Sequence, residues 1–246
     1  MPQVKPKVVL LRYTPDPENI IAMGAKLCYS ATDVEGLMGK IESKDQSAFI
    51  KKLADMGHMS PIEHSSFTFG IEGVSRSFLA QITRHRIASF SVQSQRYVTQ
   101  AKEGTDFNYI IPPAIEALGQ EAIDKYKNQM SIIDGFYKDW VQELGNKGES
   151  SNEDARFVLP NGCETKMIVT MNARELLHFF EIRCCNRAQW EIRAVAWEML
   201  KICMQVAPNL FASAGPSCLF GACSEGSMSC GKMADVREKY KRMREI

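Results

Sequence analysis

The sequence predicts one domain that contains both helices and strands. The chain has 246 residues, 45% of them hydrophobic, which is enough for one sizeable core. Phe67, Phe69 and Ile71 alternate with polar or small residues, as in a half-buried strand. Elsewhere, apolar residues recur three or four positions apart, which is typical of helices. Because no Pro/Ser/Gly-rich linker divides the chain, we expect a single domain over residues 1–246.

Local signals set the expected elements of the first third of the chain. An apolar run that starts at Val8 favours a short strand. Asp16 followed by Pro17 is typical of a helix N-cap with proline at the first helical position. Gly57 is placed to end a later helix. We therefore expect, in order, a strand over 8–11, helices over 16–28 and 47–56, a strand over 67–71 and a helix over 74–83.

The rest of the chain is punctuated by proline and glycine. The prolines at 112–113 break the chain before a long helical pattern that stops near Gly145. Ser151 or Asn152 is expected to cap the next, shorter helix. These signals predict a helix over 115–144, a loop over 145–152, a strand over 166–171 and two helical patterns over 173–206. The tail over 212–246, rich in Cys and Gly and then charged, has no assigned chemical role.

Charge and hydropathy exclude several classes of protein. A formal net charge of +1 argues against bulk attraction to nucleic acid or to an anionic membrane. No apolar run approaches the length of a membrane span, and the N-terminus lacks a signal-peptide profile. The eight cysteines include the adjacent Cys184 and Cys185 and show no small-scaffold spacing. We therefore expect reduced thiols in a cytoplasmic protein.

The histidines and the cysteines of the tail lack the usual spacing of zinc ligands. Cys218, Cys223 and Cys230 could be argued as ligands, but free cysteines are common without any metal. His64 follows an acidic residue and precedes a strand, so a structural imidazole with satisfied hydrogen bonds is expected there. The sequence predicts no metal site.

The run Arg84-His85-Arg86 stands at the end of a predicted helix. Consecutive helical residues point about 100° apart, so the three side chains are expected to splay toward different ligands or subunits. Arginine forks suit phosphate and carboxylate groups, and the Ser/Gln-rich loop that follows, closing on Arg96, could supply neutral hydrogen bonds. The alternative is a basic helix end exposed to solvent.

A second basic stretch follows Asn172, which can cap a helix. Arg174 and His178 are four residues apart and share a face, with apolar residues opposite. Continuing the helical wheel places Arg183 and Arg187 inside the apolar stripe. A guanidinium there is costly unless an anion meets it, which favours an anionic ligand or a subunit interface. The alternatives are a stem that reaches the surface, or a helix break at the adjacent cysteines.

No arrangement for nucleophilic catalysis is visible. The sequence contains no neighbouring Cys-His pair, and nothing near Ser94 could act as its base. Ser94 is better explained as a hydrogen-bond donor to a phosphate or a ring carbonyl. A G-x-G-x-x-G dinucleotide fingerprint is also missing, so a dinucleotide would bind outside a Rossmann crevice.

Taken together, these blocks resemble the flavin-dependent thymidylate synthase family. The resemblance is carried by RHR-x-x-S with S-x-R-Y beyond it, by the upstream GHMSPIEHSSFTF, and by the downstream NARELLHFFEIRCCNRAQWEIR. The blocks occur in the family's order and cover the chain from about Cys28 to Trp197.

The resemblance implies a fold and a reaction. The fold is α+β, a single domain with a central, mainly antiparallel sheet and long helices, assembled as a homotetramer with flavin where subunits meet. The reaction methylates dUMP to dTMP, with methylenetetrahydrofolate as one-carbon donor and NADPH as reductant through FAD. Because the cofactor carries the difficult chemistry, no enzyme nucleophile is needed.

The resemblance also implies roles for particular residues. Arg183 matches the arginine that favours ionisation of the uracil at N3, and it is the predicted catalytic residue. Glu153 lies three residues before Arg156 and is expected to orient it. Positions that match cofactor contacts are His58, Ser60, Arg84, His85, Arg86, Val92, Asn172, Arg174 and His178. Positions that match the surroundings of the nucleotide are Gln81, Arg84, Ser94, Gln95, Arg96, Arg156 and Arg183.

The sequence departs from the family pattern at two positions. Ser91 and Val92 stand where the family usually has Asn and then an acidic residue. Val92 cannot accept charge or form a side-chain hydrogen bond, so a polar contact is lost or supplied by Gln93 or Gln95. Two alternatives therefore stay open, a phosphate- or nucleic-acid-binding protein and an inactive structural homologue.

Overall fold

A computed structural model describes residues 3–101 and 104–245 of the chain. Within these described residues, four strands form one sheet in the order β1-β2-β4-β3. The strands are β1 (Lys7–Tyr13), β2 (Ser66–Ser75), β3 (Ala88–Val92) and β4 (Glu164–Asn172). The ladder is antiparallel: Thr14 N–H donates to Ser66 O, so the end of β1 lies beside the start of β2. The α+β class and the antiparallel sheet are thus confirmed.

Ten α-helices accompany the sheet in the described part of the chain, and none is long and apolar enough to span a membrane. They are α1 (Pro17–Leu27), α2 (Val34–Glu42), α3 (Ser47–Asp55), α4 (Arg76–Ile82), α5 (Pro113–Glu116), α6 (Gln120–Glu143), α7 (Glu149–Ala155), α8 (Ala173–Arg183), α9 (Trp190–Val206) and α10 (Met233–Arg244). The sequence predicted α1, α3, α8 and α9 closely but missed α2 and α10.

The described chain forms two compact units, and the prediction of one domain over 1–246 stays a prediction. The first unit comprises residues 3–7, 70–84, 90–101 and 104–168. Its core includes Phe107, Tyr109 and Met130. Buried Asp134 is tied into it, since its Oδ1 accepts from the Phe107 N–H at 3.0 Å.

The second unit comprises residues 8–69, 85–89 and 169–245, and its core contains aromatic rings in edge-to-face contact. The ring of Phe211 lies 5.5 Å from that of Phe67 and 5.9 Å from that of Phe180. The carboxylate of Glu18 on α1 accepts from the backbone N–H groups of Asn209 and Leu210. These bonds fix α1 against the segment that follows α9.

Two predicted helices have different bounds in the structure. The helix expected over 74–83 begins at Arg76, because Val74 and Ser75 complete β2 and the Ser75 hydroxyl caps α4 through the Phe78 N–H. The helix expected over 115–144 is divided into α5 and α6 at Gly119, whose φ of 96° no helix accommodates.

The predicted cap of α7 is wrong, because α7 already begins at Glu149. Ser151 lies inside that helix, where its hydroxyl donates to Leu144 O at 3.0 Å. Asn152 instead donates to the backbone O of Arg96 at 2.9 Å. At α1 the boundary is right, but the Asp16 side chain makes no capping hydrogen bond and its φ of 45° is left-handed.

Gly73 on β2 offers a test of the backbone in the first unit. Its φ is 69°, and a Cβ there would overlap the backbone carbonyl of Lys5. We expect Gly73→Ala to lower the free energy of unfolding by at least about 1–3 kcal/mol, from the backbone conformation alone. Gly39→Ala on α2 is the matched control, with nothing within 4 Å of its Cβ and an expected gain of about 0.5–1 kcal/mol. Equal denaturant midpoints for the two variants would contradict this prediction.

Candidate active site

The start of α8 forms one wall of a cavity of about 880 Å³ in the second unit. Asn172, the last residue of β4, caps the helix, since its Oδ1 accepts from the Glu175 N–H at 2.9 Å. Arg174 and His178 are exposed and, with Asn172, line the cavity. The predicted cap is confirmed, and so is the face that Arg174 and His178 share.

The same cavity combines charge with apolar surface. The guanidinium of Arg174 pairs with the carboxylate of Glu63, which lies in the segment between α3 and β2. Met59, Ile87 and Phe220 add apolar walls. The cavity can therefore take a ligand that has an anionic or hydrogen-bonding part and a planar apolar part.

A buried hydrogen-bonded chain lies beside this wall. His85 is 6% exposed, and its Nδ1 lies 2.8 Å from Oε1 of Glu175, which is 7% exposed. Nε of Arg183 lies 3.1 Å from Nε2 of His85. An arginine Nε–H can only donate, so Nε2 must accept and Nδ1 must carry the hydrogen that is donated to Glu175. This arrangement requires a neutral imidazole with its hydrogen on Nδ1.

Burial supports the neutral form of His85. Burial is the largest cause that lowers the pKa of His85, and it is opposed by the hydrogen bond to Glu175. The positive charge of Arg183 lowers this pKa further. The ring is fixed laterally by Phe179, whose centroid lies 5.0 Å away in an edge-to-face contact.

The three residues of Arg84-His85-Arg86 splay as predicted. Arg84 and Arg86 are exposed, whereas His85 is buried between protein groups. Both ring nitrogens of His85 already have protein partners. A ligand that forms a polar contact with this ring would therefore have to displace Glu175 or Arg183.

The end of helix α8 explains where the two arginines predicted in the apolar stripe lie. Helix α8 ends at Arg183, with Cys184 as its C-cap. Arg187 therefore leaves the helical wheel. It is exposed, lies 3.3 Å from the carboxylate of Glu225 and donates to Met228 O. Arg183 is half-buried, and with His178 it lines a second cavity, of about 320 Å³.

His58 and Ser60 line a different cavity from Asn172, Arg174 and His178. Both are exposed, and this third cavity, of about 600 Å³, also contains Lys26 and Lys52. The intervening Met59 points to the first cavity, which it lines. His64 is exposed, with its ring against Gly24, and the expectation of a structural imidazole with satisfied hydrogen bonds stays a prediction.

The segment after β3 carries three of the predicted nucleotide contacts of the first unit, Ser94, Gln95 and Arg96. The Ser94 hydroxyl accepts from the N–H of Arg96 at 3.1 Å, so it organises a turn. The guanidinium of Arg96 lies 2.7 Å from Glu149 and 2.9 Å from Glu153. Gln95 is half-buried, and its amide points to the thiol of Cys163 at 3.6 Å.

The carboxylate of Glu153 pairs with a different arginine from the one expected. Its carboxylate binds Arg96, whereas Arg156 donates through Nε to the backbone O of Glu153 at 3.1 Å. Glu153 therefore orients Arg96. Gln81 on α4 donates to Ser77 O at 3.3 Å, and Val92 is half-buried at the end of β3.

Sequence reasoning missed three acidic residues that bind side chains of the predicted site. They are Glu63, Glu149 and Glu175, the partners of Arg174, Arg96 and His85. Glu175 had one local signal, since it stands three residues after the cap Asn172, where an acidic residue is common. Nothing local indicated that its carboxylate is buried.

The described residues contain no group of three or more His, Cys, Asp or Glu side chains arranged to hold a metal ion. All eight cysteines are free thiols in the structure, including the three of the tail. Burial raises the pKa of Cys184 and of Cys203 far above the ordinary range of a thiol. These two thiols are therefore unreactive packing groups.

Comparisons with known proteins first define the class of enzyme. The family described as "Thymidylate synthase complementing protein" matches residues 9–209. The chain is 49% identical over 237 residues to a flavin-dependent thymidylate synthase of Geobacter sulfurreducens, covering 96% of this chain and 99% of that protein. A protein of the same name from Clostridium tetani is 48% identical over 244 residues, 95% of this chain and 96% of its own length. The chain belongs to the flavin-dependent thymidylate synthase family, which is a family of enzymes.

Proposed function

We propose that this protein methylates dUMP to dTMP, with methylenetetrahydrofolate as the one-carbon donor and NADPH as the reductant through FAD. We further propose a homotetramer whose active sites lie where subunits meet. The observation that carries the proposal is the wall formed by Asn172, which caps α8, and by Arg174 and His178 on that helix. All three match cofactor contacts of the family and line one cavity.

The residues of the cavity fit a flavin. Its volume of about 880 Å³ falls in the range of small-molecule sites, about 300–1,000 Å³. Helix α8 is 11 residues long, and its N-terminal end favours an anionic group such as a phosphate, which would compete with Glu63 for Arg174. Met59, Ile87 and Phe220 supply apolar surface for a ring system. When bound, reduced flavin supplies the hydride that completes the methyl group.

The chain's own residues would position and polarise dUMP. Arg84, Arg96 and Arg156 are cations suited to the phosphate, with Gln81, Ser94 and Gln95 as neutral partners. Arg183 would face the uracil, where a fixed positive charge stabilises the anion that forms on the ring. Ser94 accepts hydrogen bonds from its own turn, which supports a positioning role over a nucleophilic one.

The remaining cofactor contacts are proposed by family match. His58 and Ser60 line the third cavity together with Lys26 and Lys52, which suits an aromatic ligand that carries carboxylates. Arg84 and Arg86, both exposed, are available to phosphates. At Val92 only backbone contacts are proposed, because its side chain is apolar.

A spectral and isotopic assay tests this function. The purified protein should be yellow, should bleach with NADPH, and should release tritium from 5-tritiated dUMP when methylenetetrahydrofolate is present. A yellow protein that never releases tritium would instead be an inactive homologue, as the replacement at Val92 suggests. A protein that stays colourless after added FAD and binds DNA in a salt-dependent way would be a nucleic-acid binder.

Arg174→Ala should first weaken flavin retention. Loss of a charged hydrogen-bond donor costs about 1.5–3 kcal/mol, so the dissociation constant of FAD should rise roughly 10- to 100-fold. Equilibrium dialysis of the flavin checks this result. Arg242→Ala is the matched control, because Arg242 also forms an exposed ion pair with a glutamate, Glu238, on α10. Equal FAD affinity in Arg174→Ala and the control would contradict the placement.

A further inference from the structure

We propose that Glu175 is a positioning residue that acts through His85 to orient the guanidinium of Arg183. The inference rests on the proposed function, because it assigns a task to the arginine expected to face the uracil. It adds a carboxylate that is only 7% exposed, although it contributes to the lining of the first cavity.

The first step of the argument is the burial of the carboxylate. Glu175 is only 7% exposed, although glutamate is rarely buried unless it is paired. Its Oε1 lies 2.8 Å from Nδ1 of His85, a distance typical of a short, charge-assisted hydrogen bond. The cap at Asn172 fixes the first turn of α8, so the carboxylate is held from the backbone side as well.

The second step is the choice of tautomer. A carboxylate at Nδ1 can only accept, so it keeps the ring hydrogen on Nδ1 and leaves a lone pair on Nε2. That lone pair is what Arg183 Nε–H needs at 3.1 Å. Because the guanidinium is planar and Nε–H lies in its plane, this hydrogen bond restricts how the plane can rotate. Glu175 thus contributes to the orientation of Arg183 through His85.

The third step is the expected loss of the contact between His85 and Arg183 when the negative charge of Glu175 is removed. A glutamine at position 175 can present either its oxygen or its NH₂ group to Nδ1. When the NH₂ group faces the ring, the stable tautomer carries its hydrogen on Nε2. Two donors, from His85 and Arg183, then face each other, and Arg183 must turn away. The shape of the core hardly changes, since glutamine is nearly the same size as glutamate.

The test compares Glu175→Gln with the parent holoenzyme. We expect flavin content and melting temperature to stay close to those of the parent. Turnover of dUMP in the tritium-release assay should fall about 10- to 100-fold, by analogy with the loss that follows when the partner orienting a metal-bound histidine is replaced. Glu198→Gln, an exposed glutamate on α9, is the matched control and should behave as the parent.

A double variant separates positioning from a merely structural role. If Glu175 acts only through Arg183, then Glu175→Gln should add little to the loss already caused by Arg183→Ala. Additive losses would overturn the inference. So would parental turnover in Glu175→Gln, or a loss of flavin and melting temperature that accounts for the loss of turnover. A parent protein without tritium release would refute the proposed function itself, whatever the variants do.

Discussion

Arg183→Ala is expected to lower the turnover of dUMP at least about 100-fold while flavin content stays near that of the parent. Removing one donor that stabilises a developing anion typically costs about 10²–10³ in kcat. Arg183 is half-buried, and its Nε is held by neutral His85, so its charge acts from a fixed position with limited screening by water. Single-turnover tritium release, with flavin absorbance measured on the same sample, checks both parts.

Two further variants make this result specific. Arg183→Lys should restore only part of the turnover, because an ammonium lacks the Nε–H that reaches His85 and the planar fork. Arg187→Ala removes an exposed arginine four residues later, which pairs with Glu225, and should have little effect. If Arg183→Ala instead loses its flavin or its fold, the proposed partner of Arg183 is wrong.

Local patterns in the sequence were sufficient to predict the cavity wall that is formed by Asn172, Arg174 and His178. Asn172 caps α8 through a bond to an N–H three residues away, and the face shared by Arg174 and His178 follows from helical periodicity. Both depend only on neighbours within one or two turns. The burial of Phe179 and Phe180 followed from the same periodicity.

Long-range partners could not be predicted in the same way. The bond between His85 and Glu175 joins residues 90 positions apart, and that between Arg183 and His85 spans 98. No periodicity extends over such distances. Glutamate is also normally exposed, so a buried Glu175 contradicts the ordinary expectation for its type.

For the carboxylate of Glu153, a local rule favoured the wrong partner. Glu153 and Arg156 are three residues apart on one helix face, which made them a natural ion pair. Arg96 nevertheless approaches from a turn 57 residues before Glu153 and binds its carboxylate.

Strand β3 was missed because Ser89 and Ser91, on its exposed side, made the segment look like a loop.

Turnover of dUMP is also expected to fall in acid, but only below the ordinary titration range of histidine, about pH 6.5. Burial lowers the pKa of His85, and the positive charge of Arg183 and the nearby His178 contribute, against the opposing effect of Glu175. The flanking Arg84 and Arg86 point to solvent. As the pH falls through this lowered pKa, both ring nitrogens become donors and His85 no longer accepts from Arg183 Nε–H. The kcat/KM for dUMP should then fall about tenfold per pH unit.

Melting curves at each pH are needed alongside the rates. In the unfolded chain His85 has its ordinary pKa, so below about pH 6.5 the unfolded state binds more protons and the folded protein loses stability. The expected result is a loss of kcat/KM in protein that is still folded and still holds its flavin. Arg183→Ala should lack this acid limb, because the contact that protonation breaks is already gone. If kcat/KM already falls at or above about pH 6.5, another group controls the loss of activity in acid. The same conclusion follows if the fall persists in Arg183→Ala.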